Sequence, residues 1–216
     1  TDTLMEQGVT ISDPARIDIR GTLKCGKDVY IDVNAVFEGD VELSDGVTIR
    51  PFSSISNSYI GENTEIKAYS TIDNSKIGNN CIVGPYARLR PGSDLKNESR
   101  VGNFVEIKKS TIGEGSKVPH LTYVGDTTVG KESNIGAGTI TCNYDGANKH
   151  NTQIGDNVFI GSGVELVAPV LIEDGATIGA GSTISKPAPK EKLTLERSKQ
   201  KTIDGWQRPT KGKDKK

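Results

Sequence analysis

The chain has 216 residues, of which 33% are hydrophobic, 5% aromatic and 25% charged, with 27 basic side chains set against 28 acidic ones. A formal net charge of −1 argues against the basic surface of a nucleic-acid binder, and this composition is not that of a disordered chain. Glycine stands out at 25 residues, about 12% against a usual ~7%, and with so few large apolar side chains it argues against a helical bundle.

Residues 1–16 read as an N-terminal connecting segment. The opening TDTLMEQGVT lacks the basic, apolar, small-residue pattern of a secretory leader. No run nears the ~20 apolar residues of a membrane-spanning helix, so no membrane partner is expected. Cys25, Cys81 and Cys142 are odd in number and far apart, which makes no disulfide framework. The expected setting is the cytoplasm, a reducing compartment.

From 17 to 186 the chain repeats. Aliphatic–Gly pairs such as Ile60-Gly61, Ile77-Gly78, Ile112-Gly113 and Ile135-Gly136 are separated by fives, sixes and their sums. Filling in that register from Leu43 to Ile184 gives 24 positions, of which 23 are Ile, Leu or Val and Thr141 is the exception. The residue two before each is always Ser, Thr, Ala, Val or Cys. Residues i and i−2 share a strand face, so each hexad sends one large and one small side chain inward. The glycine after the aliphatic is expected to take the corner conformation. Three hexads per coil make a triangular prism of short parallel strands stacked at about 4.8 Å. Extending the register back through Phe37, Ile31, Cys25 and Ile19 gives roughly nine or ten coils. Such hexapeptide coils resemble the left-handed parallel β-helix, an all-β fold. The hand comes from that resemblance, since the usual crossover rule gives the opposite one.

The rhythm breaks after Thr141 and resumes at Ile154, so residues 143–153 (NYDGANKHNTQ) are predicted to leave the prism as an extruded loop turning at Asp145-Gly146. Residues 187–216 form a C-terminal extension. Pro187 and Pro189 lead into KEKLTLERSKQK, where a short helix is expected, and the basic tail ends KGKDKK. That tail reads either as a contact for polyanions or as a solvated terminus.

The register also sorts the polar residues. Cys25 and Cys81 take inward positions and read as core. Cys142, where the chain leaves the prism, is a possible nucleophile but has no histidine beside it. Arg90 and Lys108 follow the inward aliphatics Leu89 and Ile107, three hexads apart, and therefore stack on one edge. Two cations one coil apart repel unless an anion bridges them, so the edge is a candidate phosphate site. The alternative is a pair of solvated charges balanced by Glu106. His120 projects from a corner, where an imidazole is suited to accept a proton at neutral pH; an exposed histidine without a role is the other reading. A zinc carbonic anhydrase on this prism needs three histidine ligands, and with only His120 and His150 no metal is expected.

The stretches RPG (within RLRPGS), VGNFVEIKK, HLTYVGD and GAGTITCNYDGANK, with DPARIDIRGTL near the start, resemble the acetyltransferase half of a bacterial bifunctional enzyme family. That family joins a glucosamine-1-phosphate acetyltransferase to an N-acetylglucosamine-1-phosphate uridylyltransferase. The resemblance covers essentially the whole chain and implies transfer of acetyl from acetyl-CoA to glucosamine 1-phosphate, on the route to UDP-N-acetylglucosamine for peptidoglycan and lipopolysaccharide. It implies His120 as general base, and Arg90, Lys108, Tyr123, Asn134 and Lys149 as sugar-phosphate contacts. Ala137, Asn143, Tyr144, Ser162, Ala180 and Arg197 match positions around acetyl-CoA. It further implies a homotrimer with sites at subunit interfaces, and no uridylyltransferase half in this chain. Two departures stand out: His150 replaces a frequent aromatic, and PAPKEKLT at 187–194, just before Arg197, is unlike the usual sequence. Two rivals remain open, another acyl acceptor on the same fold and a non-catalytic β-helix scaffold.

Overall fold

An aliphatic side chain every five or six residues cannot be covered by its own short strand, so burial must come from copies of the repeat above and below it. The computed structural model, which describes residues 1–209, satisfies that demand with parallel strands of mostly two to four residues. One face is an eleven-stranded sheet running from Thr10–Ile11 through Tyr30–Ile31 and Thr48–Ile49 to Leu193–Thr194. The other two faces join in a 17-stranded sheet, because Asp18–Cys25 and Val36–Leu43 run unbroken round a corner that later coils turn sharply. In most coils each strand pairs with the one three hexads further on, as in Leu89 with Ile107 and Val101 with Val118.

The predicted inward register holds throughout. All 24 large positions from Leu43 to Ile184 are buried, and so are the small residues two before each. Thr141 fits because its hydroxyl accepts from the Gly125 amide at 2.8 Å, so the one polar member of the stack stays hydrogen-bonded. Many of the inward serines and threonines donate to a nearby carbonyl, as Ser93 does to Arg90 and Ser116 to Gly130, both at 2.6 Å. Among the described residues, the Thr152 hydroxyl is the buried side-chain group left without a partner. Cys81 is buried and Cys25 is packed partly against the core. Burial pushes the Cys25 thiol up to about 11 and the Cys81 thiol up as well.

The glycines after the aliphatics have a different role from the one their position suggests. Gly102, Gly113, Gly130 and Gly136 do not take positive φ; an added Cβ at each would collide with backbone or a side chain of the next coil. Their service is close approach between coils. The left-handed corner residues come instead as ladders of their own: Gly39, Asn57, Asn74, Gly92, Lys109 and Asp126 occupy one corner at φ between +43° and +80°. A second corner carries bulky residues at φ +55° to +60°, Phe52, Tyr69, Tyr86 and Phe104. Their rings stack at centroid spacings of 4.9, 4.9 and 5.3 Å, which offsets conformational strain of order 1–3 kcal/mol each.

Both ends depart from the sequence reading. The solenoid starts inside the segment assigned as a connection, since Thr10–Ile11 pairs with Tyr30–Ile31 and Val9 and Ile11 are buried. A 3-10 turn at Pro14–Arg16 lengthens that first coil and hides its rhythm. A short helix α1 (Asp2–Glu6) precedes it, with Leu4 packed against the core. At the far end no helix forms over 190–201. Leu193–Thr194 adds one more rung on Thr177–Ile178, and Ala188 bridges Ile172, so the two prolines interrupt the coil without ending it. The tail KGKDKK lies outside the described residues. Among the described residues no helix is long and apolar enough to cross a membrane.

Replacing Ile112, fully buried in the stack, with Ala is expected to cost about 2–5 kcal/mol in urea unfolding. Leu171→Ala, at a residue 39% exposed, is expected to cost well under 1 kcal/mol in the same experiment. Equal costs would reject the assignment of inward and outward positions.

Candidate functional site

Because the coil returns to the same place every three hexads, side chains distant in sequence meet as rungs. Arg88–Leu89, Glu106–Lys108, Tyr123–Gly125 and Ile140–Cys142 stack consecutively on one face. The Arg90 guanidinium lies 2.9 Å from Glu106 Oε1, while Arg88 lies 3.4 Å from Oε2, so Glu106 sits between two cations. Lys108, only 8% exposed, points its ammonium at Asp126 Oδ2, 3.6 Å away. The cations thus stack on one edge, with Glu106 shared between two arginines and Asp126 facing Lys108.

His120 and Asn103 are register partners on adjacent coils, and Nδ1 of the imidazole is 2.7 Å from Asn103 Oδ1. An amide oxygen only accepts, so Nδ1 donates, and in the neutral ring Nε2 keeps its lone pair. The ring is exposed, leaving that nitrogen open to an incoming group. An open groove of about 500 Å³ runs between Phe104 and Leu121 of this corner and Glu106 and Tyr123 of the neighbouring face. A larger groove of about 780 Å³, beside Lys24, Tyr59 and Lys76, holds none of the predicted residues.

The chain leaves the prism over a shorter stretch than 143–153. Asn143 is itself buried, Thr152 already belongs to the strand Thr152–Ile154, and the part off the prism is 144–151, exposed except for the half-buried His150. It folds on itself: Tyr144 bridges Lys149, and Asp145 Oδ1 accepts from the Ala147 and Asn148 amides at 2.8 and 2.7 Å. The His150 Nε2 reaches Asp145 Oδ2 at 2.7 Å, so the residue that departs from the family pattern closes the loop. This hairpin brings the Lys149 ammonium against Lys108. Lys149 is pushed down, first because only its neutral amine can accept a hydrogen bond from the Lys108 ammonium and then by repulsion between the two charges. Lys108 is pushed up, first by that hydrogen bond and then by Asp126, against the pull of burial. Two basic side chains thus crowd a pocket that holds one carboxylate, Asp126, an arrangement that suits an anion.

Lys108, Tyr123, Asn143 and Lys149 therefore come together, with Asn143 Nδ2 directed at both Tyr123 Oη, 3.5 Å away, and Asp126 Oδ2. Asn134 lies on the adjoining face beside Lys117 and beneath Phe159. Ala137, Ser162, Ala180 and Arg197 follow one another up a single edge: the Ala137 carbonyl accepts from Gly163, the Ser162 carbonyl accepts from Gly181, and Gly181 faces Arg197. Tyr144 is exposed on the loop, its hydroxyl donating to the Gly146 carbonyl. Asn103 and Asp126 were not singled out in the sequence, although one turn back from His120 and one turn on from Lys109, the neighbour of Lys108, lead directly to them. Cys142 is no activated nucleophile, because burial and then the Glu165 carboxylate raise its thiol pKa. Among the described residues no three His, Cys, Asp or Glu side chains converge to hold a metal ion.

Residues 57–91, 74–109 and 151–186 match the bacterial transferase hexapeptide family, six repeats. Over 208 residues, 96% of this chain, it is 59% identical to the "Bifunctional protein GlmU" of Janthinobacterium sp. (strain Marseille) and covers 46% of that protein. The protein of the same name from Herminiimonas arsenicoxydans is 57% identical over the same share. The chain spans about half the length of the curated relatives it matches. Among solved structures, an Arabidopsis UDP-N-acetylglucosamine acyltransferase superposes with a TM-score of 0.65 at 16% identity, over 83% of this chain and 69% of that one. That likeness in backbone path establishes the fold as a left-handed parallel β-helix of about ten turns.

Asp145 is held well below the usual carboxylate range, chiefly by the Asn148 amide and then by His150 and Ala147. A carboxylate depressed on folding contributes stability that is complete above its unfolded pKa of about 3.9 and is lost as pH falls through the folded value. Amide exchange at Ala147 and Asn148 should therefore stay equally slow, once corrected for intrinsic rates, from about pH 7 to about pH 5, and quicken only in stronger acid. Quickening already at about pH 6 would mean that Asp145 does not hold the loop.

Proposed function

We propose that this chain transfers the acetyl group of acetyl-CoA to the 2-amine of glucosamine 1-phosphate. The observation that carries the reading is the pairing, on neighbouring coils, of an exposed imidazole whose Nε2 is free with a cation edge that lacks part of its counter-charge. Its likeness over 96% of its length to part of a bifunctional protein supports it.

In this reading Arg90, Lys108 and Lys149 meet the sugar phosphate, with Tyr123 and Asn134 placing the sugar. The amine lone pair attacks the thioester carbonyl carbon, forming the C–N bond while the carbonyl becomes an oxyanion. His120 Nε2 takes the proton that the nitrogen sheds, and Asn103 holds the imidazolium through Nδ1. Collapse of the oxyanion breaks the C–S bond, and the thiolate leaves with the proton that His120 carries. Backbone amides or the Ser162 hydroxyl steady the oxyanion. Ala137, Asn143, Tyr144, Ala180 and Arg197 line the path of acetyl-CoA, with Arg197 at its charged nucleotide end. The working assembly is a homotrimer in the cytoplasm, each site completed by a neighbouring subunit. No acetyl-enzyme forms.

The test is thiol release from acetyl-CoA with glucosamine 1-phosphate, against plain glucosamine as control. Release that requires the phosphate is expected; none from folded protein rejects the reading, and equal release from glucosamine transfers it to another acceptor. His120→Ala should lower kcat by about 10²–10⁴-fold with KM changed little. Lys108→Met should instead raise KM for the phosphosugar, since it removes a contact made before and during reaction alike.

A further inference from the structure

Asp126 has no role in the mechanism above, yet more of the site converges on it than on any other side chain. It stands one turn on from Lys109 in the same corner ladder, at φ +49°, with a side chain 12% exposed. Its position is set from two directions: its amide donates to the Lys108 carbonyl at 3.0 Å, and its carbonyl accepts from Thr152, where the loop rejoins the prism, at 3.2 Å. One carboxylate oxygen, Oδ2, then serves two partners, the Lys108 ammonium at 3.6 Å and the Asn143 amide. The Lys149 charge is within its field too.

We propose that Asp126 is a positioning residue whose shared oxygen couples the phosphate side of the site to the acetyl-CoA side. The inference rests on the reading that Lys108 meets the sugar phosphate and Asn143 the acyl donor. A carboxylate beside Lys108 competes with the incoming phosphate for the same ammonium, so it weakens phosphate attraction while fixing where the ammonium sits. Asn143 draws on the same oxygen and so moderates that competition. Loss of Asp126's charge and loss of Asn143's amide must then move phosphate affinity in opposite directions. A purely structural brace would move both in the same direction, toward weaker binding.

The experiment uses the full chain, with Asp126→Asn and Asn143→Ala compared with the parent. Inorganic phosphate is titrated calorimetrically, alongside kcat and KM for glucosamine 1-phosphate and a thermal melt. Asp126→Asn is expected to bind phosphate about 3–10-fold tighter while kcat falls at least about 10-fold, a split of affinity from turnover. Asn143→Ala is expected to bind phosphate about 2–3-fold more weakly. Weaker phosphate binding in folded Asp126→Asn, or shifts of the same sign in both variants, would overturn the proposal. Should Asp126→Asn fail to fold, Asp126→Gly, which suits the same positive φ, is read in its place: tighter phosphate binding supports the coupling and weaker binding refutes it. A parent chain that neither binds phosphate nor releases thiol would instead refute the reading of the site, and the proposal with it.

Discussion

Each coil is held by the coils on either side, through parallel backbone hydrogen bonds and through an inward aliphatic stacked on another. Both contacts require the chain to come back to the same point after every third hexad, and that closure governs everything else. It explains why 24 large positions can all be buried in a chain that is only 33% hydrophobic: each needs to be covered only by its counterparts one turn away. It also explains the glycines that follow the aliphatics, since coils this close leave no room for a Cβ. Where closure lengthens, as around Pro14–Arg16, the strand pairing persists and only the spacing in sequence changes.

The same closure builds the site. Side chains emerge from short paired strands whose backbone has little freedom, so Asn103 and His120, or Glu106 and the two arginines, are held at hydrogen-bonding distance by the spacing of the coils. Between the first and last rungs the segment 144–151 escapes, and it is bound to itself through Asp145 and to the prism through Asn143 and Thr152. Charge is managed locally. Glu106 answers Arg88 and Arg90, and Asp126 answers Lys108, so the edge is neither a bare cluster of cations nor fully neutralised.

Much of this was legible from the residues. The period assigned the inward positions, the break at Thr141 located the loop, and the three-hexad step placed Lys108 over Arg90. The ends were harder to read because Leu4, Val9 and Ile11 contribute too few repeats to establish a rhythm, and because Pro187 and Pro189 resemble a terminator when the chain in fact continues to Leu193–Thr194. The role of the hexad glycines was misjudged for a physical reason: small size serves close approach as well as unusual φ, and the sequence does not distinguish them. Asn103 and Asp126 were missed although the register already placed them beside His120 and Lys108. Their partners carry the evident chemistry, whereas an amide or a carboxylate alone on a polar edge attracts no notice.

The two ends of the stack have a further consequence. A pile of parallel strands exposes unpaired amides and carbonyls on its first and last rungs, where another such pile could add and grow into a fibre. Here helix α1 leads into the first rung, with Leu4 tucked against the apolar stack, and the last rung follows Lys190, Glu191 and Lys192, charged and exposed. Those features work against end-to-end addition, which a bare, uncharged rung would favour.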